Sequence, residues 1–212
     1  MLHRVSAVDA LVEELRRQIL AGELPPGTVL PEIELAQRFH VARPTVRSAV
    51  QELVDRGVLR REAGRSARVP VLGVDDVRDV YFARAAIELR AIEFTTTAQD
   101  LAALLEPVAE ALAGMEQVPG DAAWSEMAEA DLAFHSALVR ATGSERLVRM
   151  FEDVLEEVRL CLAQLEARYP QRDELVAEHR GILEAIRAGD PDVARRQMLS
   201  HLDSAVRDLT RQ

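Results

Sequence analysis

Residues 41–57 read VARPTVRSAVQELVDRG. Apolar side chains recur in this stretch at helical spacing, and Pro44 suits the first turn of a helix. A shorter helical pattern precedes it at residues 33–39, so only residues 40–42 separate the two. Two short helices joined by three or four residues are typical of a helix-turn-helix, whose second helix enters the major groove. We therefore predict a DNA-reading helix that begins near Arg43.

The segments around these two helices predict one more helix and a small β-hairpin. Residues 9–21 place apolar side chains at helical spacing and are followed by Gly22, a common helix stop. Residues 58–69 divide into two short stretches around AGR at residues 63–65, which is typical of a two-stranded wing. The first domain is thus predicted to be a winged helix-turn-helix over residues 1–70.

The remainder of the chain has a purely helical pattern. Residues 71–75 are predicted to be a linker, and residues 76–212 an all-α antiparallel helical bundle. Proline and glycine separate the predicted helices, which cover residues 76–95, 99–116, 121–141, 144–168, 172–188 and 190–210. The predicted fold class is therefore mainly α, and the β-hairpin wing is its β-structure.

The composition limits the class of protein. The chain of 212 residues is 48% hydrophobic, 29% charged and 4% aromatic, which suits a helix-rich globular protein rather than a disordered chain or a β-sandwich. Its apolar runs are shorter than the roughly 20 residues that cross a bilayer, and the N-terminus lacks the apolar stretch of a secretory signal. We therefore expect a cytoplasmic protein with no membrane partner. Cys161, the single cysteine, is expected to be a packed thiol.

The charge is divided unequally between the two predicted domains. The net charge of −10 argues at first against a nucleic-acid partner, because phosphate binding usually needs an excess of basic residues. Residues 1–70, however, hold 11 arginines against 9 acidic residues, whereas residues 71–212 hold 15 arginines against 27. The first domain therefore remains compatible with DNA binding.

Four polar residues of the first domain are candidate DNA contacts. Arg43 and Arg47 lie four residues apart, so they emerge on nearly the same face of the reading helix. Thr45 carries a hydroxyl suited to a phosphate, and Arg65 at the tip of the wing could enter a minor groove. Such residues can also serve only to keep a small domain soluble, but the helix-turn-helix context favours DNA contacts.

Four residues of the second domain are candidate metal ligands. Asp131 and His135 are four apart on one helix, so they share a face. His179 and His201 are 22 residues apart on either side of a predicted turn, which suits two helices that face one cavity. One carboxylate and three imidazoles would suit a first-row divalent ion. Hydrogen-bonded core histidines have the same pattern, and spacing leaves both interpretations open.

The first domain resembles the winged helix of the GntR regulators over residues 8–69. The matching segments are GELPPG at residues 22–27, LA at 35–36, VARPTVR at 41–47 and LVDRGVL at 53–59. The resemblance implies that Arg43, Thr45 and Arg47 contact the operator and that the wing at Gly64 and Arg65 touches the minor groove, with Ser66 beside them as a further candidate contact.

Three residues depart from the GntR pattern. Ile33 stands where the family usually has an arginine, Ala42 where it has an N-capping serine, and Ser66 where a second wing glycine is common. The loss of a cap typically costs about 1 kcal/mol of local stability. These departures predict altered or weaker site preference with DNA binding retained.

The second domain resembles the FCD domain of the FadR-type GntR regulators over residues 76–208. The matching segments are VYFARAAIE at residues 80–88, DLAFH at 131–135, EHRGILEAI at 178–186 and ARRQMLSHL at 194–202. The three threonines at residues 95–97 depart from the alanine-rich helix that is usual there, and they could shorten or bend it.

This second resemblance implies a ligand set and an effector contact. All four positions that bind metal in metal-binding members are present, as Asp131, His135, His179 and His201. The ion would be divalent, with zinc as the first choice and nickel or manganese as alternatives. Arg84 would face the carboxylate of a small effector, held by Glu88, although a surface or interdomain ion pair is an equal alternative.

The predicted function is that of a transcriptional regulator, a repressor, rather than an enzyme. A homodimer would read double-stranded DNA at a palindromic operator, because two copies of the reading helix give more specificity than one. A small carboxylate would bias operator binding. A metalloenzyme is the first alternative, since an open metal site can activate water. Against it, the sequence shows no further general base or nucleophile at a spacing characteristic of an active site. A helical protein-interaction module with structural histidines is the second.

Overall fold

The computed structural model describes residues 6–164 and 171–210. Within these ranges the chain is mainly helical and divides into two compact units. Residues 6–76 together with 156–164 form the first unit, and the other described residues form the second. The predicted mainly α fold class is confirmed.

The first unit contains three helices and two very short strands. They are α1 (Ala7–Leu20), β1 (Val29–Leu30), α2 (Glu32–Phe39), α3 (Arg43–Asp55) and β2 (Ala67–Arg68). Helix α1 begins at Ser6, whose hydroxyl accepts a hydrogen bond from the backbone N–H of Asp9 while the Asp9 carboxylate accepts one from the backbone N–H of Ser6. Helix α3 packs on α1 and α2, and its Val46 and Leu53 are fully buried. The apolar periodicity of α3 therefore forms the core of this unit.

The turn between α2 and α3 has the geometry of a helix-turn-helix. Helix α2 is capped by His40, whose backbone is left-handed with φ of 53°, and α3 begins three residues after this cap. Ala42 is the N-cap of α3 and supplies no side-chain hydrogen bond, as its apolar methyl group requires. Pro44 lies in the first turn, where the missing N–H costs nothing.

Serine at position 42 is expected to stabilise the protein. Its hydroxyl can accept a hydrogen bond from a free N–H of the first turn of α3, which contributes about 1 kcal/mol, or about 2–4 °C in melting temperature. Thermal denaturation of Ala42→Ser measures the shift. The matched control is Ala10→Ser at an exposed position inside α1, where serine is a poorer helix former than alanine. A melting temperature of Ala42→Ser at or below that of the control would contradict the capping argument.

The β-structure of the wing differs in its pairing from a simple hairpin. Strand β2 pairs antiparallel with β1, with Val29 opposite Arg68 and Leu30 opposite Ala67. Among the described residues, the first half of the predicted hairpin pairs with β2 only through an isolated bridge between Arg60 and Arg68. Strand β2 therefore has a backbone partner on each of its two edges. The tip at residues 63–66 is exposed.

The second unit is built from helices close to the predicted ones. They are α4 (Val74–Thr96), α5 (Leu101–Glu116), α6 (Trp124–Arg140), α7 (Glu145–Gln164), α8 (Arg172–Arg187) and α9 (Pro191–Thr210), with the last part of α7 belonging to the first unit. Helix α5 packs on α6 and α8, and α8 packs on α9. The predicted end of α7 at residue 168 and the break at Pro170 lie outside the described residues.

Three smaller expectations concern α4, Cys161 and the membrane. The hydroxyls of the threonines at 95–97 donate to backbone carbonyls three or four residues earlier, and α4 ends among them. Cys161 is fully buried, and burial raises the pKa of its thiol to about 12, so it is a packed thiol as predicted. Within the described ranges, the helices are too short or too polar to span a bilayer.

Candidate metal centre and DNA-reading surface

The four predicted metal ligands come together inside the second unit. Asp131 and His135 lie one turn apart on α6, His179 lies on α8 and His201 on α9. The Nε2 atom of His135 is 3.1 Å from Nε2 of His179 and 3.2 Å from Nε2 of His201. Oδ1 of Asp131 is 3.0 Å from Nε2 of His179, and all four candidate ligand atoms lie within 4.8 Å of one another. The three imidazoles are almost completely buried.

The opposite ring nitrogens of these histidines are all engaged by acceptors. Nδ1 of His135 is hydrogen-bonded to Oε2 of Glu88. Nδ1 of His179 is 2.8 Å from the carbonyl oxygen of Leu175, and Nδ1 of His201 is 2.8 Å from Oε2 of Glu178. A ring that donates from Nδ1 keeps its lone pair on Nε2, so these contacts aim three lone pairs at one point.

This donor set fits a single divalent cation. Two nitrogens that each lie about 2.1 Å from one ion are about 3.0–3.4 Å apart, which is the spacing observed between the Nε2 atoms. Converging lone pairs repel one another unless a proton or a cation lies between them. Imidazole nitrogens and a carboxylate oxygen are the ligands that zinc, nickel and manganese accept in proteins. Asp131, His135, His179 and His201 can therefore hold such an ion.

The ionisable side chains of the cluster shift one another's pKa values. Burial opposes the ionised form of Asp131, but hydrogen bonds and charge from His135 and His179 hold its pKa well below the usual value. Burial and Arg84 favour neutral His135, yet Glu88 and Asp131 outweigh them and raise its pKa. Burial, together with the charges of the other two histidines, pushes the pKa of His201 well below its usual value. These shifts favour ionised Asp131 and neutral His201, which are the forms that can bind a cation.

Arg84 is the buried cation beside this cluster. Its side chain is 1% exposed, and its Nε donates to Oε1 of Glu88 at 2.6 Å. Burial disfavours the charged guanidinium, but Glu88, Tyr81 and Asp131 outweigh that cost and raise its pKa. Among the described residues its NH2 atom lacks a hydrogen-bond partner, and it lies 3.9 Å from Oδ2 of Asp131. One donor of Arg84 is therefore available next to the metal ligands.

Glu88 has a second contact that the sequence did not indicate. The pairing of Glu88 with Arg84 was expected, but its contact with His135 joins residues 47 positions apart. Burial would raise the pKa of Glu88, whereas attraction to His135 and Arg84 lowers it to about 2. The available signal was the occurrence of two charged residues, four apart, on the apolar stripe of α4. Leu175 and Glu178 carried no comparable signal for their contacts with the other rings.

The candidate DNA contacts lie on the first unit. Arg43 and Arg47 are exposed near the start of α3, with half-buried Thr45 between them. Arg65 and Ser66 are exposed at the wing tip, and Arg65 pairs with Glu62 at 2.7 Å. The structure thus places the predicted contacts in two groups, one on α3 and one on the wing.

Glu32 on α2 is a neighbour of α3 that the sequence did not indicate. Its Oε2 accepts from Nε of Arg47 at 3.3 Å, and its Oε1 accepts from Arg61 at 3.1 Å. Ile33, which stands where GntR regulators usually have an arginine, follows it and is 53% exposed. The face of α2 next to Arg47 therefore presents an acid and an apolar side chain.

Two known families match different parts of the chain. Residues 7–69 match the family described as bacterial regulatory proteins of the gntR family, and residues 79–204, more than half of the chain, match the FCD domain. The chain belongs to the GntR family. It is a transcriptional regulator of the FadR type, with a GntR helix-turn-helix domain followed by an FCD domain.

Relatives of this GntR-family protein extend over nearly its whole length. A protein described as a D-xylose utilization operon transcriptional repressor, from Paenarthrobacter nicotinovorans, is 27% identical and the match covers 95% of this chain and 88% of that protein. An HTH-type regulator in an unstable DNA locus of Streptomyces ambofaciens is 30% identical, with coverage of 93% and 83%. A solved GntR-type regulator from Rhodococcus sp. RHA1 superimposes with a TM-score of 0.78 at 26% identity, with coverage of 95% and 96%.

Membership of the GntR family decides between the function classes. The family and these relatives are transcriptional regulators and not enzymes, so the metalloenzyme alternative is excluded. The helix-turn-helix domain likewise excludes a module that only binds proteins, because that domain implies DNA as a partner. The prediction of a DNA-binding regulator is confirmed.

Proposed function

We propose that this GntR-family regulator is a repressor whose operator binding is controlled by a small carboxylate bound beside a divalent metal ion. Residues 1–70 would read DNA and residues 76–212 would form the sensor. Residues 71–75 would join them, although Val74 and Asp75 already belong to α4. The observation that carries the proposal is the convergence of Asp131 and three histidine Nε2 atoms next to the buried guanidinium of Arg84.

The metal would be held by Asp131, His135, His179 and His201. Zinc suits three imidazoles and one carboxylate, and nickel or manganese are alternatives with the same ligand types. When bound, the ion would supply a buried Lewis-acidic charge. The chain's own residues orient the rings through Glu88, Glu178 and the carbonyl of Leu175.

The effector chemistry follows from the charges around Arg84. Next to Arg84, the carboxylates of Glu88 and Asp131 offset Arg84 and one charge of the ion, so one positive charge is left. Glu178, behind His201, is 41% exposed and screened by solvent. A carboxylate matches the planar guanidinium and can accept from its free NH2. Because NH2 of Arg84 lies 3.9 Å from Oδ2 of Asp131, a carboxylate that accepted from this NH2 could also approach the ion. A small mono- or dicarboxylate is the ligand class that this site favours.

Operator binding would use the two groups of candidate contacts on the first unit. Arg43, Thr45 and Arg47 would face the major groove, and the wing tip with Arg65 and Ser66 would touch the minor groove. A homodimer would place two reading helices on a palindromic operator. Relatives described as operon repressors support repression as the outcome.

A thermal-shift screen of monocarboxylates, dicarboxylates and sugar acids tests the sensor. A ligand at 100 times its Kd stabilises the folded state by about 2.7 kcal/mol, which is a rise of about 5–10 °C in a protein of this size. We expect at least one carboxylate to raise the melting temperature of the zinc-supplemented protein and to lose this effect in Arg84→Met. Arg90→Met is the matched control, because Arg90 lies on the same helix but is 59% exposed and pairs with Glu93. If the carboxylate stabilised Arg84→Met as much as the unaltered protein, the role of Arg84 would be contradicted.

A further inference from the structure

Glu88 is a fully buried carboxylate that uses its two oxygens for two different partners. Oε1 accepts from Nε of Arg84 at 2.6 Å, and Oε2 is hydrogen-bonded to Nδ1 of His135. The exposed fraction of its side chain is 0%, so water does not compete for either contact. A buried charge is tolerated when it is paired and hydrogen-bonded, and Arg84 satisfies that condition for Glu88.

The contact between Glu88 and His135 has two effects on the ring. It makes Nδ1 the donor, which leaves the lone pair on Nε2, and it fixes the direction in which Nε2 points. That direction is toward Nε2 of His179 and His201, at 3.1 and 3.2 Å. A carboxylate acceptor also makes the ring a stronger electron donor, and this effect is greatest where the surroundings are apolar.

The three histidines of the cluster are supported unequally. His179 donates to a backbone carbonyl, which carries no net charge. His201 has a carboxylate partner, Glu178, but that side chain is 41% exposed, whereas Glu88 is excluded from solvent. Glu178 and Glu88 thus make the same type of contact in different surroundings.

We propose that Glu88 is a positioning residue of the metal centre, which holds His135 in the tautomer and orientation that bind the ion while Arg84 holds Glu88 in place. This inference rests on the proposed function. Glu88 does not touch the ion and acts through His135. Because Arg84 is the proposed effector contact, one carboxylate also joins the effector contact to a metal ligand.

Zinc titration by calorimetry on the full chain tests this role. Loss of a carboxylate behind a ligating histidine typically weakens metal binding about 10–100-fold, and we expect this loss in Glu88→Gln. Glu178→Gln is the matched control and should weaken zinc binding less, since solvent already screens that carboxylate. The cobalt(II) absorption spectrum gives a second readout: Glu88→Gln should shift the ligand-field bands, whereas Glu178→Gln should leave them closer to those of the unaltered protein.

A second variant covers the case in which Glu88→Gln does not fold because Arg84 has lost its buried partner. The double variant Arg84→Met with Glu88→Gln removes both charges at similar volume, and it should show the same weakened zinc binding and shifted cobalt bands. If either folded variant bound zinc as tightly as the unaltered protein, the role of Glu88 would be overturned, but the metal centre would not. If the unaltered protein bound no zinc, the metal centre of the proposed function would fail, and this inference with it.

Discussion

Alanine at both Arg43 and Arg47 is expected to abolish gel-shift retention of the DNA fragment that contains the protein's own promoter. Both arginines are exposed on the first turns of α3, and a good arginine contact with a base is worth about 1–3 kcal/mol. Loss of two such contacts corresponds to about 2–6 kcal/mol, or a drop in affinity of about 30-fold to 10⁴-fold. Because neither side chain is part of the core, the fold should remain intact.

The control for this result is a double variant with the same loss of charge elsewhere in the first unit. Arg17 pairs with Glu14 and Glu23, and Arg56 pairs with Glu52, so Arg17→Ala with Arg56→Ala removes two arginines outside the proposed reading surface. This control should retain most of the binding. Undiminished retention by the Arg43 and Arg47 variant would defeat the assignment of α3 as the reading helix.

Removal of the metal ligands is expected to abolish stabilisation by zinc. Zinc at 100–1,000 times its Kd should stabilise the unaltered protein by about 2.7–4.1 kcal/mol, a rise of about 5–15 °C in melting temperature that a chelator reverses. Asp131→Asn removes the carboxylate ligand, and His179→Ala removes a ring whose Nε2 lies 3.0 Å from that carboxylate. Each variant should melt at the same temperature with zinc and with chelator. Metal analysis of the purified proteins should show a bound divalent ion in the unaltered protein only.

Matched substitutions outside the cluster separate metal loss from general damage. Glu126→Gln neutralises an exposed acid on the same helix as Asp131, and His40→Asn replaces an exposed histidine whose left-handed backbone suits asparagine. Both should keep the full zinc response. Absence of bound metal in the unaltered protein, with a melting temperature that chelation leaves unchanged, would contradict the metal centre.

The fold was largely predictable because its helices carry strong local signals. Apolar side chains at helical spacing and breaks at glycine or proline placed the helices within a few residues of their observed bounds, wherever those bounds lie among the described residues. The pairing of β1 with β2 was not predictable, because each strand has two residues and they lie 37 positions apart, so neither shows a periodic pattern. The start of α6 at Trp124 rather than residue 121 reflects a turn after Pro119 that periodicity does not detect.

The candidate metal site was predictable in its ligands but not in their surroundings. Asp131 and His135 share a helix face by their spacing, His179 and His201 were candidates from their spacing across a turn, and the family resemblance implied that all four are ligands. The contact of Glu88 with His135 depends on how α4 packs against α6, which local sequence does not specify. For the same reason, the pairing of Glu32 with Arg47 and Arg61 escaped prediction.

The affinity of the protein for its own promoter fragment, measured by fluorescence anisotropy, tests the link between sensor and operator most directly. The measurement uses zinc-loaded protein with and without the carboxylate that gives the largest thermal shift. We expect the carboxylate to change Kd by about 5–150-fold, the usual range of allosteric coupling, and to have no effect on Asp131→Asn. The same Kd at every carboxylate concentration in the unaltered protein would contradict control of DNA binding by the metal and carboxylate site.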